Sequence, residues 1–154
     1  MKDEFLQVLE NLGEDAERLI NLRKEQIQAL KLLYDDLKQW LSKYEEEKLV
    51  EIKEKEVFDF TSGYTELDII FTKIHHVTVR PQISYPQNEF YVHLNYYKEY
   101  SGISDLKSSP TNTTRLNYSS GKWIIATNFD FGQPQELFTV EAFKKDIEEK
   151  MLSK

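Results

Sequence analysis

The first third of the chain carries an unusually long helical pattern. Between Asp3 and Lys55 there is no proline and a single glycine, Gly13, and apolar residues recur every three or four positions. Spacing of this kind predicts an amphipathic α-helix. After Lys55 the sequence alternates apolar and polar residues, which is typical of strands. The sequence therefore predicts an α+β fold, in which a long N-terminal helix leads into a β-rich body.

Within this helix the apolar residues follow a seven-residue repeat. Apolar a and d positions with charged flanks are typical of a coiled coil. A second apolar stripe, one position after d, widens the face and favours a helix packed on a sheet or in a bundle. Both alternatives, packing on its own domain and an intermolecular coiled coil, stay open here. The a positions are Leu9, Ala16, Arg23, Leu30, Leu37 and Tyr44, the d positions are Phe5, Leu12, Leu19, Gln26, Leu33 and Trp40, and the second stripe is Ile20, Ile27, Tyr34 and Leu41.

Three residues interrupt this pattern. Glycine lowers helix stability, so we expect a break at Gly13, with a short helix over 3–12 and a long one from 14 to about 50. Arg23 and Gln26 are polar at core positions of the repeat. A buried polar residue can fix the register of an oligomer, but simple exposure of both side chains near a bend is the interpretation we favour.

Five antiparallel strands and a closing helix are predicted after the arm. A Ser120-Gly121 turn places Tyr118 opposite Trp123 in the last hairpin. Thr139 is a candidate N-cap for the closing helix, which we expect to pack on the sheet. The chain thus divides into a helical arm, 1–56, and a β-rich body, 57–154, within one integrated domain. The predicted strands are 57–61, 64–79, 90–98, 113–118 and 122–131, and the closing helix presents Val140, Phe143, Ile147 and Met151 on one face.

Two histidines are the sharpest candidates for chemistry. A symmetric hairpin that pairs Val79 with Phe90 places His76 opposite His93, and two imidazoles can serve as metal ligands. A third ligand is missing, because Asp68 stands roughly 26 Å from His76 along a continuous strand. We therefore predict no metal site and no cofactor. His75 falls on the apolar face of the same strand, where we expect a hydrogen-bonded core histidine.

Composition and charge restrict the classes of function. The net charge is −7 and the pI is about 5.1, which disfavours binding to nucleic acids and to anionic membrane surfaces. The chain has no cysteine, so it holds neither disulfides nor cysteine zinc sites. Its N-terminus lacks the pattern of a secretory signal, and we expect a cytoplasmic protein. There is no nucleophile motif and no glycine-rich phosphate loop, so we assign no catalytic residues and favour a non-catalytic role.

Three hypotheses of function follow from these exclusions. The first is a protein-interaction module, such as an inhibitor, immunity-type protein, chaperone or assembly factor, that binds a partner through its sheet face or arm. Charge favours a basic partner. The alternative is a small-molecule-binding domain or enzyme, with a pocket between sheet and helices near His75, Tyr96 and Asp59. The third is a homodimer joined by the arm. The residues expected to bind a partner are Ile70, Ile74, Tyr91, Tyr97 and Tyr100.

Overall fold

The computed structural model describes residues 3–57, 64–84, 89–99, 110–126 and 136–152. A long helix leads into a meander of antiparallel strands, and a short helix follows the last strand, which confirms the α+β fold. Seven strands are present among the described residues, where the sequence predicts five. The elements are α1 (Glu4–Glu46), β1 (Glu51–Glu56), β2 (Thr65–Ile70), β3 (His76–Ser84), β4 (Glu89–Tyr97), β5 (Asn112–Ser119), β6 (Lys122–Ile125), β7 (Glu136–Leu137) and α2 (Val140–Met151).

Helix α1 runs without interruption for 43 residues, so the predicted break at Gly13 is wrong. A glycine inside a helix costs only about 1 kcal/mol relative to alanine, and the good helix formers on either side outweigh it. The Asp3 carboxylate caps the N-terminus by accepting a hydrogen bond from the Phe5 backbone N–H at 3.0 Å. The helix ends at Glu46, and Lys48 takes a positive φ of 61° in the turn to β1.

The sheet has the strand order β1-β2-β3-β4-β5-β6-β7, with every neighbouring pair antiparallel. Strand β1 follows α1 after a short turn, at a place where the sequence predicts no strand. Its alternating lysines and glutamates suit an edge strand, where charge discourages pairing with another chain. Of the predicted strand over 57–61, Val57 alone is described, and it donates its backbone N–H to the Tyr64 carbonyl at 3.2 Å.

The predicted single strand over 64–79 is wrong, because the chain turns back between Phe71 and His75. This turn contains no glycine, proline or asparagine, and the Thr72 hydroxyl stabilises it by accepting from the backbone N–H groups of Ile74 and His75. The core histidine expected at His75 is therefore also wrong. His75 is half-buried in the turn, and its Nδ1 lies 2.7 Å from the Thr72 hydroxyl.

The predicted pairing of β3 with β4 is displaced by four residues. Val79 pairs with Leu94 rather than with Phe90, because β3 continues through Pro81 to Ser84. Pro81 lies beyond the β2–β3 ladder, which ends at Val79, and a proline is tolerated in a strand where it removes no ladder hydrogen bond. Between the predicted strands over 64–79 and 90–98, residues 85–88 lie outside the described residues.

The described part of the last hairpin and the closing helix confirm the sequence prediction, and residues 127–131 of the predicted strand over 122–131 lie outside the described residues. Tyr118 pairs with Trp123 across the Ser120-Gly121 turn, where Gly121 has a φ of +80° that favours glycine. Thr139 caps α2 by accepting from the Ala142 backbone N–H at 3.2 Å. Between the predicted strands over 90–98 and 113–118, residues 100–109 lie outside the described residues.

Both helices pack on one face of the sheet. The second half of α1 and the inward residues of the central strands share a core that includes Leu33, Leu37, Leu67 and Val79. Polar contacts with the body also fix the position of α1 along the sheet. The Trp123 indole donates to the Ala29 carbonyl at 3.0 Å, the Tyr34 hydroxyl donates to the Thr65 carbonyl at 2.5 Å, and the Tyr64 hydroxyl donates to the Gln26 side chain at 2.7 Å.

Gln26 therefore contradicts the interpretation of a bend with exposed polar residues. Its side chain is 6% exposed and lies under the sheet, and the Arg23 guanidinium donates to its Oε1 at 3.0 Å. On α2, Asp146 accepts hydrogen bonds from the hydroxyls of Tyr96 and Thr114 and thereby attaches this helix to β4 and β5.

Candidate protein-interaction site

The first half of α1 extends beyond the sheet and has no tertiary covering among the described residues. Every residue from Glu4 to Leu22 is exposed, and burial begins at Arg23 and Gln26. We call residues 4–25 the arm. One side of the arm is apolar, and we call its large side chains the arm stripe. The arm stripe consists of Phe5, Leu6, Val8, Leu9, Leu12, Leu19, Ile20 and Leu22, all of which are at least 36% exposed.

The arm stripe continues the face that α1 buries against the sheet. At 3.6 residues per turn, the mean direction of the arm stripe lies within roughly 45° of that of the buried side chains. The second half of α1 therefore packs its apolar face on the chain's own sheet. The first half of α1 leaves the same kind of apolar face exposed to solvent.

The second exposed surface is the sheet face opposite the helices. It is covered by neither helix, and the described charges on it are arranged in pairs. Glu66 lies 3.1 Å from Lys55 and 3.8 Å from Arg80. The Arg115 guanidinium forms an ion pair with Glu89 and stacks 3.7 Å from the centre of the Tyr91 ring. This face is therefore polar over much of its described area, and several of its charges lie beside opposite charges.

The structure divides the residues expected to bind a partner into two groups. Ile70 and Tyr97 flank His76 on neighbouring strands, and Ile74 is exposed in the turn before β3. Tyr91 lies six residues from Tyr97 along β4, which is roughly 20 Å. Tyr100 lies outside the described residues. Their role in partner binding stays a prediction.

The histidine pair expected from the sequence is not formed. His76 pairs with Tyr97, and His93 pairs with Arg80, so the two imidazoles are four register positions apart. The turn before β3 instead brings His76 Nδ1 to 3.2 Å from the Asp68 carboxylate. Burial raises the pKa of Asp68, although His76 and Lys55 oppose this shift. Within the described ranges no three His, Asp or Glu side chains form a group that could hold a metal.

His93 gives the sheet face a dependence on pH. Burial and the nearby Arg115 lower its pKa below the ordinary value of 6.5. Between the two pKa values the unfolded chain binds more protons than the folded chain, so stability present above pH 6.5 is lost as the pH falls. We expect His93→Gln to flatten this decline in the free energy of unfolding, measured by urea titration at several pH values. The Asn95→Gln control should keep the decline, and an equally steep profile in both variants would contradict the assignment.

An open apolar groove of about 340 Å³ lies where the end of α1 meets α2. Trp40, Tyr44, Phe143 and Ile147 line it. The polar groups expected at a pocket lie elsewhere: His75 is in the β2–β3 turn, and the Tyr96 hydroxyl is bound to Asp146. Asp59 lies outside the described residues. The groove therefore has the size of a small-ligand site but few described polar groups to orient a ligand.

Sequence reasoning identified the repeat but missed part of the exposed surface. Leu6, Val8 and Leu22 belong to the arm stripe, yet none of them is among the residues that the sequence assigned to the a and d positions or to the second stripe, although Leu6 lies one position after the d residue Phe5. They occupy the e and g positions, which usually carry charge in a two-stranded coiled coil. Apolar side chains at these positions were the available signal that the arm presents a wide face.

Two further findings concern the chain as a whole. None of the helices in the described part of the chain is long and apolar enough to cross a bilayer. No family model, curated protein or solved structure matches this chain.

Proposed function

We propose that this chain is a non-catalytic protein-interaction module of the inhibitor, immunity, chaperone or assembly type, and that it binds protein through the arm stripe. The observation that carries this proposal is the exposure of eight large hydrophobic side chains along one side of a helix. A contiguous apolar surface of this kind marks interaction sites in soluble proteins. A long helix with one apolar face also matches a common mode of recognition, in which the face packs into a complementary surface.

The expected contributions to the binding free energy favour the arm over the sheet face as the main contact. Covering one half-exposed aliphatic side chain contributes about 1 kcal/mol, and eight such side chains together offset a large part of the cost of association. Exposed ion pairs, such as those on the sheet face, contribute about 0–1 kcal/mol each. The predicted set of Ile70, Ile74, Tyr91, Tyr97 and Tyr100 is a second contact surface under this proposal.

The charge of the chain bears on any partner that meets its polar surfaces. With a net charge of −7, the chain attracts a basic protein more quickly than an acidic one. Contacts of this kind weaken as salt rises, whereas the apolar contact of the arm stripe is far less sensitive to salt. The salt dependence of binding therefore separates a contact made by charge from a contact made by the arm. A cytoplasmic location stays a prediction.

The test is native mass spectrometry of the protein purified gently from its own host cells. We expect the wild type to carry bound protein, either another chain or a second copy, and Leu12→Glu/Leu19→Glu to lose it. The matched control, Asn11→Glu/Asn21→Glu, adds the same charges to the polar side of the arm and should keep the complex. A wild type without bound protein, or a complex that survives in the stripe variant, would contradict the proposal.

The apolar groove favours a second candidate function, the binding of a small apolar molecule. Its lining by Trp40, Tyr44, Phe143 and Ile147 resembles the walls of ligand sites, which are mainly hydrophobic and aromatic. The same spectra test this candidate, because a bound small molecule adds a defined mass to the monomer. A monomer that carries such a mass and no protein would favour the groove over the arm.

A further inference from the structure

We infer that the arm stripe is covered by the arm of a second copy of this chain, and that the two arms run antiparallel with Phe5 level with Arg23 of the other copy. This inference rests on the proposed function and names its partner. Three observations carry it: the space left beside the arm, the self-complementarity of the stripe, and the charge along the arm.

The chain's own sheet determines what fits beside the arm. A helix packs about 8–10 Å from its neighbour, so a helix on the arm stripe lies in the layer that the sheet occupies farther along α1. The sheet reaches α1 at Gln26, which is bonded to Tyr64. A covering helix must therefore end near residue 24. A parallel copy of α1 would continue for more than 20 further residues into the sheet, whereas an antiparallel copy leads away from it.

Antiparallel coiled coils pair an a position with a d position, and one register uses the whole arm. Phe5 lies level with Arg23 of the other copy, Leu9 with Leu19, and Leu12 with Ala16. The start of the second helix then lies level with Lys24, just before the first buried residue, Gln26. Moving the register by one heptad either shortens the overlap to residues 5–16 or forces the second arm against the sheet.

The flanking positions agree with this register. Leu6 lies opposite Ile20 of the other copy, and Val8 lies opposite Leu22, so the apolar e and g side chains cover one another. Gly13 faces its own counterpart at the two-fold axis. A Cβ added there would meet nothing within 4 Å in the single chain, so the fold of one chain does not require this glycine. Close approach of two helices gives it a reason.

The charges of the arm also favour the antiparallel arrangement. Five of its six acidic residues precede Arg18, and its three basic residues lie between positions 18 and 24, next to the body. In the antiparallel register Glu4 lies level with Lys24 of the other copy and Glu10 lies level with Arg18, and Asp15 beside the two-fold axis is the one acid that meets its own counterpart closely. Parallel arms would place every charge beside a like charge. Within the arm the acids are Glu4, Glu10, Glu14, Asp15, Glu17 and Glu25, and the bases are Arg18, Arg23 and Lys24.

Single cysteines test this geometry, because the natural chain has none. Asp15 flanks the two-fold axis, so a short bis-maleimide should join two Asp15→Cys chains into a covalent dimer. Phe5→Cys should give no dimer, since the two copies of residue 5 are separated by roughly 27 Å along the helices. Glu14→Cys, on the polar side of the arm, is the matched control for chance collisions and should also stay monomeric.

Sedimentation equilibrium of the purified full-length chain completes the test. We expect a mass of twice 18.3 kDa, and we expect Leu12→Glu/Leu19→Glu to weaken the dimer by roughly 100-fold or more, because it places carboxylates in an apolar contact. Asn11→Glu/Asn21→Glu should remain dimeric. Circular dichroism and tryptophan fluorescence should show that both double variants keep the folded body.

Two outcomes would overturn the inference, and each is distinct from failure of the proposed function. Cross-linking of Phe5→Cys would show parallel arms and refute the antiparallel geometry, while the arm would still bind protein. A monomeric wild type at about 50 μM would refute the second copy as the partner. In that case the proposed function stands only if host cells supply a different protein whose binding depends on Leu12 and Leu19.

Discussion

Replacing Leu37 by alanine is expected to lower the free energy of unfolding by about 2–5 kcal/mol. Leu37 is 0% exposed and belongs to the core between α1 and the sheet. Removing its branched end takes away apolar contacts and leaves a cavity that the rigid sheet cannot fill. The change is measurable as a shift in the midpoint of urea unfolding, followed by the fluorescence of Trp40 and Trp123.

The matched control is Leu32→Ala on the same helix. Leu32 is 48% exposed, so the same chemical change removes little buried surface, and alanine is at least as good a helix former. We expect its midpoint to stay close to that of the wild type. Equal losses at both positions would show that α1 does not pack on the sheet through the face that contains Leu37.

The second large effect is expected at Phe143, whose replacement by alanine should cost about 3–5 kcal/mol. Its ring is 1% exposed and lies 6.2 Å from Trp40 and 5.7 Å from Phe138, measured between ring centres. The substitution therefore removes the aromatic ring through which α2 contacts Trp40 of α1 and Phe138. Thermal unfolding by circular dichroism should show a lower midpoint for Phe143→Ala.

The neighbouring Lys144→Ala is the control for this second prediction, because Lys144 is exposed and alanine keeps the helix propensity high. Its midpoint should change little. Phe143 also lines the apolar groove, so Phe143→Ala enlarges that groove, and apolar compounds that stabilise this variant more than the wild type would locate the enlarged space. A variant as stable as the wild type would show that α2 is held mainly by its polar contacts with Tyr96 and Thr114.

Local signals made part of the fold predictable. The Ser120-Gly121 turn fixed the pairing of Tyr118 with Trp123, because a two-residue turn determines the register of its hairpin. Thr139 marked the start of α2, since its hydroxyl has a specific acceptor role at the first helical turn. In both places a short stretch of sequence contains the residues that determine the geometry.

Other features depend on contacts that the local sequence does not contain. The turn between β2 and β3 lacks glycine and proline, and it is stabilised by the Thr72 hydroxyl, so alternation alone indicated one continuous strand. The predicted β3–β4 register is wrong because the predicted strand ends at Val79, whereas β3 continues through Pro81 to Ser84. Gln26 was assigned to the surface because its partner, Tyr64, is distant in sequence.

The sequence predicts that the helix has an apolar face, but it does not predict which part of that face stays exposed. The repeat indicated that the helix has an apolar face along its whole length. It did not show which half packs on the sheet, because both halves carry the same pattern and the sheet covers only the part that it reaches. The position of Gln26 under Tyr64 marks that boundary, and this contact is a property of the folded chain.

Because α1 is one continuous helix, a change in its orientation on the sheet also moves the arm. The start of the arm at Glu4 lies roughly 33 Å along the helix from Gln26, where contact with the body begins. Over that length, a change of about 5° in the angle between α1 and the sheet moves Glu4 by about 3 Å. A partner that holds the start of the arm therefore also acts on the contact between Gln26 and Tyr64. Binding at the far end of the arm and packing inside the body are thus mechanically linked.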